Sequence, residues 1–175
     1  MRAFLFWEAY NNKYAEFDFS NYQGASKTAL LISIENVCEK MLNPPAKLKG
    51  VNDIMKFSKE IKKWSKFDVE KLKRAGITNY FMINADGGTG GGIFRKMYGV
   101  LLTEAAGILE NSSIVNIGKQ FIDLSKQWDS VADVMWTLSE TGQSELLNNM
   151  SEVIKSISEH ETTLFTNLQN ALRTK

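Results

Sequence analysis

Seven apolar residues, Ile117, Phe121, Leu124, Trp128, Val131, Met135 and Leu138, follow one another in alternating steps of four and three without a break. That spacing places all seven on one stripe of an α-helix, the seam of a helix lying along another helix. A strand, with its period of two, would scatter them over both of its faces. Gly142 supplies a turn, and Leu146, Met150, Val153, Ile157, Leu164 and Leu168 carry a nearly heptad stripe towards the C-terminus. Upstream, Ile93, Met97, Val100, Leu101, Ala105 and Ile108 define the apolar face of another long amphipathic helix, which stops near Asn111-Ser112-Ser113. Three consecutive long helices with short links predict an antiparallel bundle.

The N-terminal half fits the same class. Leu30, Ile34, Val37 and Met41 predict a helix from Ser26 to Leu42, with Cys38 beside its apolar face, and Asn43-Pro44-Pro45 ends it. A second helix begins near Asn52, because Ile54, Phe57, Ile61 and Trp64 step by three, four and three. Asp68 to Ala75 reads as a short helix closed by Gly76, and Ile77 to Ala85 as a short strand or an irregular link. The fold class is therefore all-α, a multi-helix antiparallel bundle, with a short strand or extended arm before it. Residues 1–22 are assigned to that arm or to the remnant of a preceding linker or domain, and 23–175 to the helical domain. Trp64, Trp128 and Trp136 lie on or beside apolar stripes, so core packing is expected of each.

A net charge of +1 gives no reason to expect nucleic acid or a membrane surface as partner. The longest apolar runs are about five residues, far below the roughly twenty that span a bilayer. With Cys38 as the only cysteine, an internal disulfide is impossible; a reducing, cytoplasmic location is expected. Charge is nonetheless uneven. Residues 46–75 carry ten Lys/Arg against four Asp/Glu, and residues 100–175 five against ten. Lys56, Lys59, Lys63 and Lys66 repeat at helical spacing opposite the apolar stripe of the second helix. Such a ridge is ordinarily a solvated face; its regularity also makes it a docking strip for an acidic partner.

Five glycines within residues 87–92 precede the helix that carries Arg95. They are entropically expensive, so the backbone there needs positive φ angles or close approach to something. No Lys-Ser/Thr follows, and Gly-x-Gly-x-x-Gly after a strand is absent, so the known phosphate cradles are disfavoured. Two readings stay open. In one, Gly88, Gly90, Gly91 and Gly92, with Arg95 and Tyr98, form a looser anion-binding turn at a helix start, where Arg95 meets a ligand phosphate or carboxylate. In the other, the glycines let the helix pack tightly, and Arg95, which opposes the helix dipole, pairs with a carboxylate of the chain, Asp86 just upstream or one elsewhere. His160 falls between Ile157 and Leu164 and reads as a semi-buried polar break. With no second histidine, a metal or Cys-His site has no support, and no cofactor is expected. Cys38 reads as a small core residue.

Several segments in order, Met41-Leu42-Asn43-Pro44-Pro45, Gly50-Val51 with Ile54, Ile61 with Trp64, and Gly88-Thr89-Gly90-Gly91-Gly92 with Phe94-Arg95, Met97-Tyr98 and Glu104-Ala105-Ala106, form a distinctive pattern. It resembles the C-terminal domain, of unknown function, of proteins related to butirosin biosynthesis protein H, over roughly residues 25 to 140. The resemblance implies an accessory or substrate-binding domain of an acyltransferase or amide-bond enzyme. The nucleophilic cysteine would reside in a separate cysteine-peptidase-like domain, in cis or in trans, so no catalytic residue is carried onto this chain. It further implies an acyl carrier protein, acidic in character, as a partner for the lysine ridge. The other expectation is a non-catalytic helical interaction module, in which the apolar seam from Ile117 to Leu138 or an exposed patch mediates association, including that of a homo-oligomer.

Overall fold

The computed structural model describes residues 20–21, 24–46, 49–84 and 91–173. Within them lie six α-helices and no strand: α1 (Lys27–Leu42), α2 (Val51–Lys62), α3 (Val69–Ile83), α4 (Gly91–Leu109), α5 (Ser112–Thr141) and α6 (Leu146–Arg173). A 3₁₀ turn, Lys63–Lys66, follows α2. The strand or arm expected before the bundle lies in residues 1–22, almost wholly outside the described residues.

Local chemistry sets the helix ends. Ser26 and Asp68 accept hydrogen bonds from the amides of Ala29 (3.1 Å) and Lys71 (2.8 Å), satisfying donors that a first turn leaves free. Asn111 does the same for Ser113 at the head of α5. Gly142 closes α5 in the left-handed region at φ 67°, its amide bonded to the Leu138 carbonyl.

The long helix α5 is the axis of the fold, with α3, α4 and α6 packed around it, while α1 and α2 lie on α6 and α1 also reaches α4. All seven residues of the four-three stripe of α5 are buried, Phe121, Leu124, Val131, Met135 and Leu138 almost completely. α6 buries Met150, Ile157, Leu164 and Leu168, with Leu147, Ile154 and Phe165, in the same core. Truncating an aromatic such as Phe121 to Ala would cost about 3–5 kcal/mol. The α2–α6 contact is closer: Ser151 and Ser158 donate to the backbone carbonyls of Ser58 (2.6 Å) and Val51 (2.8 Å), so small hydroxyl residues let two helices approach while remaining hydrogen-bonded.

Three expectations are corrected. Gly76 does not end α3, which continues through the segment read as a strand or link to Ile83. A Cβ on Gly76 would stand 2.6 Å from the Ser139 amide nitrogen, so this glycine serves contact with α5 rather than termination. The second helix gives way to a 3₁₀ turn before Trp64. Finally, α4 buries Gly92, Gly99, Leu102, Ala105, Ala106 and Leu109, whereas Met97, Val100, Leu101 and Ile108 of its apolar stripe face solvent.

Candidate functional site

The orientation of α4 follows from its glycines. A Cβ on Gly99 would lie 2.5 Å from the Gly118 carbonyl oxygen, and one on Gly118 would lie 2.7 Å from that of Gly99. The two helices thus meet backbone to backbone, at a separation only glycine allows. One end of the same face is held by Gly92, where a Cβ would meet Asp129 Oδ1 at 2.8 Å. With the small residues inward, the bulky ones project outward: Phe94 is 57% and Met97 59% exposed. Together with Ile93, Val100 and Leu101 they line a shallow open groove, flanked by Lys96 and Glu104. These exposed apolar side chains lie together on one helix face rather than scattered.

Arg95 emerges on the other flank. Its Nε and Nη2 donate to the two carboxylate oxygens of Glu161 at 2.9 and 3.1 Å, and its Nη1 donates to the Gly91 carbonyl at 3.1 Å. The Trp128 indole N–H adds a bond to Glu161 Oε1 at 3.0 Å, and the guanidinium carbon lies 5.5 Å from the centre of the Trp128 ring. Glu161 is fully buried. A lone carboxylate there would be prohibitively costly; a bidentate guanidinium and an indole donor make it tolerable and fix α4, α5 and α6 at one point. Of the two readings of Arg95, the internal carboxylate describes its anionic partner.

Beside this hub a cleft of about 220 Å³ opens between α1, which contributes Val37 and Met41, and α4, which contributes Phe94, Arg95 and Tyr98. Phe121 and Phe165 form its remaining wall. The Tyr98 ring meets Phe121 edge-on at 5.2 Å and lies 6.0 Å from Phe165. Its hydroxyl is sealed from solvent without a hydrogen-bond partner among the described residues. The Cys38 thiol is its polar neighbour. Burial pushes the thiol up to about 11 and raises the Tyr98 phenol well above its ordinary range, so both groups are neutral at physiological pH.

The six residues proposed as a ligand-binding turn are therefore only partly gathered. Gly91, Gly92, Arg95 and Tyr98 occupy the first two turns of α4; Gly88 and Gly90 lie outside the described residues. Lys56, Lys59, Lys63 and Lys66 are all exposed on α2 and its 3₁₀ extension, where Lys56 pairs with Asp53 (2.6 Å) and Lys63 with Glu60. Among the described residues no cluster of three or more metal-ligating side chains exists. No helix is long and apolar enough to cross a membrane. Glu161 escaped the sequence reading, which set His160 in the buried stripe. The signal was present: four residues after Ile157 and three before Leu164 is position 161. Trp128 is buried as expected, Trp64 is half-buried, and Trp136 is exposed against Tyr80.

These features define a class of protein: an all-α bundle with an internal ion-pair hub, an apolar outer helix face and an adjoining aromatic cleft. Within that class the chain belongs to the family described as Domain of unknown function (DUF4872), whose model matches residues 6–168. No curated protein and no solved structure matches it.

Proposed function

We propose that this domain is the helical C-terminal partner in an acyltransferase or amide-bond enzyme of the butirosin protein H type. In that role it is accessory or substrate-binding, and a cysteine-peptidase-like domain, in cis or in trans, supplies the nucleophile. The observation that carries the reading is the outward apolar face of α4. A helix whose glycines hold its backbone against α5 and which leaves Phe94, Met97, Val100 and Leu101 exposed is suited to completing an interface with a second folded unit. Cys38 does not compete as nucleophile: it is fully buried, and its thiol is held protonated.

The test is to express a cysteine-peptidase-like domain from a two-domain relative and titrate it with this chain by calorimetry. Binding is expected, and Met97→Asp with Leu101→Asp should weaken it by at least about 100-fold, since each places a charge in a desolvated contact. Absence of binding, or binding indifferent to both substitutions, would sink the reading.

The non-catalytic alternative uses the same face for association of two copies, and sedimentation across a concentration series distinguishes it: a dimer abolished by Met97→Asp, with no affinity for the peptidase-like domain, selects that alternative. In the enzyme reading the lysine ridge takes an acidic acyl carrier protein. Its exposure supports this, and the interaction should weaken steeply with added salt.

A further inference from the structure

The cleft beside Arg95 has a chemistry that goes beyond a docking role for the outer face of α4. A guanidinium has five N–H donors. Three are used here, two by Glu161 and one by the Gly91 carbonyl, leaving one on Nη1 and one on Nη2 among the described residues. The side chain is 22% exposed, so these donors are reachable, but its charge is already neutralised by the buried carboxylate. An anionic ligand would gain little from a compensated cation and would meet the negative charge of Glu161. A cation would be repelled by Arg95 and find no free carboxylate among the described lining residues. An uncharged acceptor oxygen suits two residual donors.

The rest of the cleft is apolar. Val37, Met41, Phe94, Phe121 and Phe165 present only carbon and sulfur, and the cleft volume is about 220 Å³. That is below the ~300 Å³ at which whole-ligand pockets begin, so it suits one end of a molecule. Tyr98 lines the same cleft, and its hydroxyl is the one buried side-chain polar atom left without a partner among the described residues.

We propose that this cleft binds a small uncharged carbonyl group, an alkyl or aryl amide or ester, with the carbonyl oxygen on the free N–H groups of Arg95 and the apolar end against Phe121 and Phe165. The assignment is independent of what covers α4, and either can fail without the other.

The experiment titrates the full chain with hexanamide, hexanoate and hexylammonium, following the Met41 methyl and the Arg95 Nε–H by NMR. Hexanamide is expected to move both resonances with a dissociation constant on the order of a few millimolar, the scale for so few atoms. Hexanoate and hexylammonium should bind at least about tenfold more weakly, since a charge leaving water finds no counter-charge in the cleft. Val37→Phe should abolish hexanamide binding by filling the cleft while leaving the Arg95 Nε–H resonance in place, which shows that the hub is intact. Equal or tighter binding of hexanoate, hexanamide binding undiminished by Val37→Phe, or no response of either resonance up to the solubility limit would each overturn the proposal.

Discussion

The central helix α5 makes two contacts of opposite design. Towards α6 it presents Phe121, whose ring lies 5.0 Å from that of Phe165, and Trp128, which bonds Glu161, and cohesion there comes from burying large side chains. Towards α4 it presents Gly118, and the two backbones touch through it and Gly99. The second design yields less apolar burial for each residue in contact, and it demands small residues at fixed positions. It leaves Phe94, Met97, Val100, Leu101 and Ile108 of α4 on the outside. A contact built from glycine thereby creates an apolar surface, which a contact built from leucine would have consumed.

The largest effect should come from the one place where both contacts are tied together. Glu161→Gln removes the charge that Arg95 and Trp128 share, and Arg95→Met strands the carboxylate. Each is expected to cost about 3–5 kcal/mol in denaturant unfolding, because breaking a buried pair leaves one group uncompensated. The double variant R95M/E161M should recover most of that loss, since apolar replacements remove both desolvation penalties. A double variant as unstable as the singles would mean that the hub is worth more than its pairwise charge.

Next in size is the glycine contact. Gly99→Ala puts a methyl group 2.5 Å from a backbone oxygen that cannot rotate away, so α4 must lift from α5; about 1–3 kcal/mol is expected. Gly107→Ala is the control, because a Cβ there meets nothing within 4 Å, and it should stabilise slightly by favouring the helix. If both variants behave alike in thermal unfolding, the two contacts of α5 do not differ as described.

This difference between contacts also governs how much of the molecule was legible in the sequence. The seam of α5 was, because Phe121, Trp128 and Met135 carry enough hydrophobic weight to declare their face. In α4 the weight sits on Met97, Val100, Leu101 and Ile108, and periodicity follows it to what proves to be the outside; Gly92 and Gly99 have no side chain to signal that their face is the buried one. Gly76 misled for a related reason, since a glycine near the end of a short apolar pattern ordinarily closes a helix. Of the site, Arg95 declared its need for an anion through its place in the first turn. The anion, Glu161, lies 66 residues away on another helix, and only the packing of α4 against α6 identifies it.

Cys38 tests the sealed side of the cleft. Its pKa in the folded state, about 11, is raised by burial above the ordinary thiol value of 9.0. The folded state therefore retains a proton that the unfolded chain releases, so stability is unaffected below pH 9 and falls between pH 9 and 11. Two pH units correspond to about 2–3 kcal/mol, with a further contribution in the same direction from Tyr98. Cys38→Ala should reduce the loss measured between pH 8 and 10.5 by urea titration, whatever its effect at pH 8. An unchanged slope would mean that the thiol is solvated in the folded protein.

The smallest expected effect is the most discriminating. Met97→Asp and Leu101→Asp, each on the outer face of α4, should change the stability of the isolated chain by less than about 0.5 kcal/mol, since surface positions that bury little contribute little. On the α5–α6 side a charge at Leu124 or Leu164, both fully buried, would unfold the domain. Apolar residues that are dispensable for folding yet contiguous on one helix face would favour the proposed interface. If Met97→Asp instead destabilises the isolated chain by 2 kcal/mol or more, of the order lost on truncating a buried apolar side chain, then the outer face is covered by the chain itself. The glycine contact would then be an inner layer of the bundle, and the asymmetry of α4 would describe its packing rather than a partner.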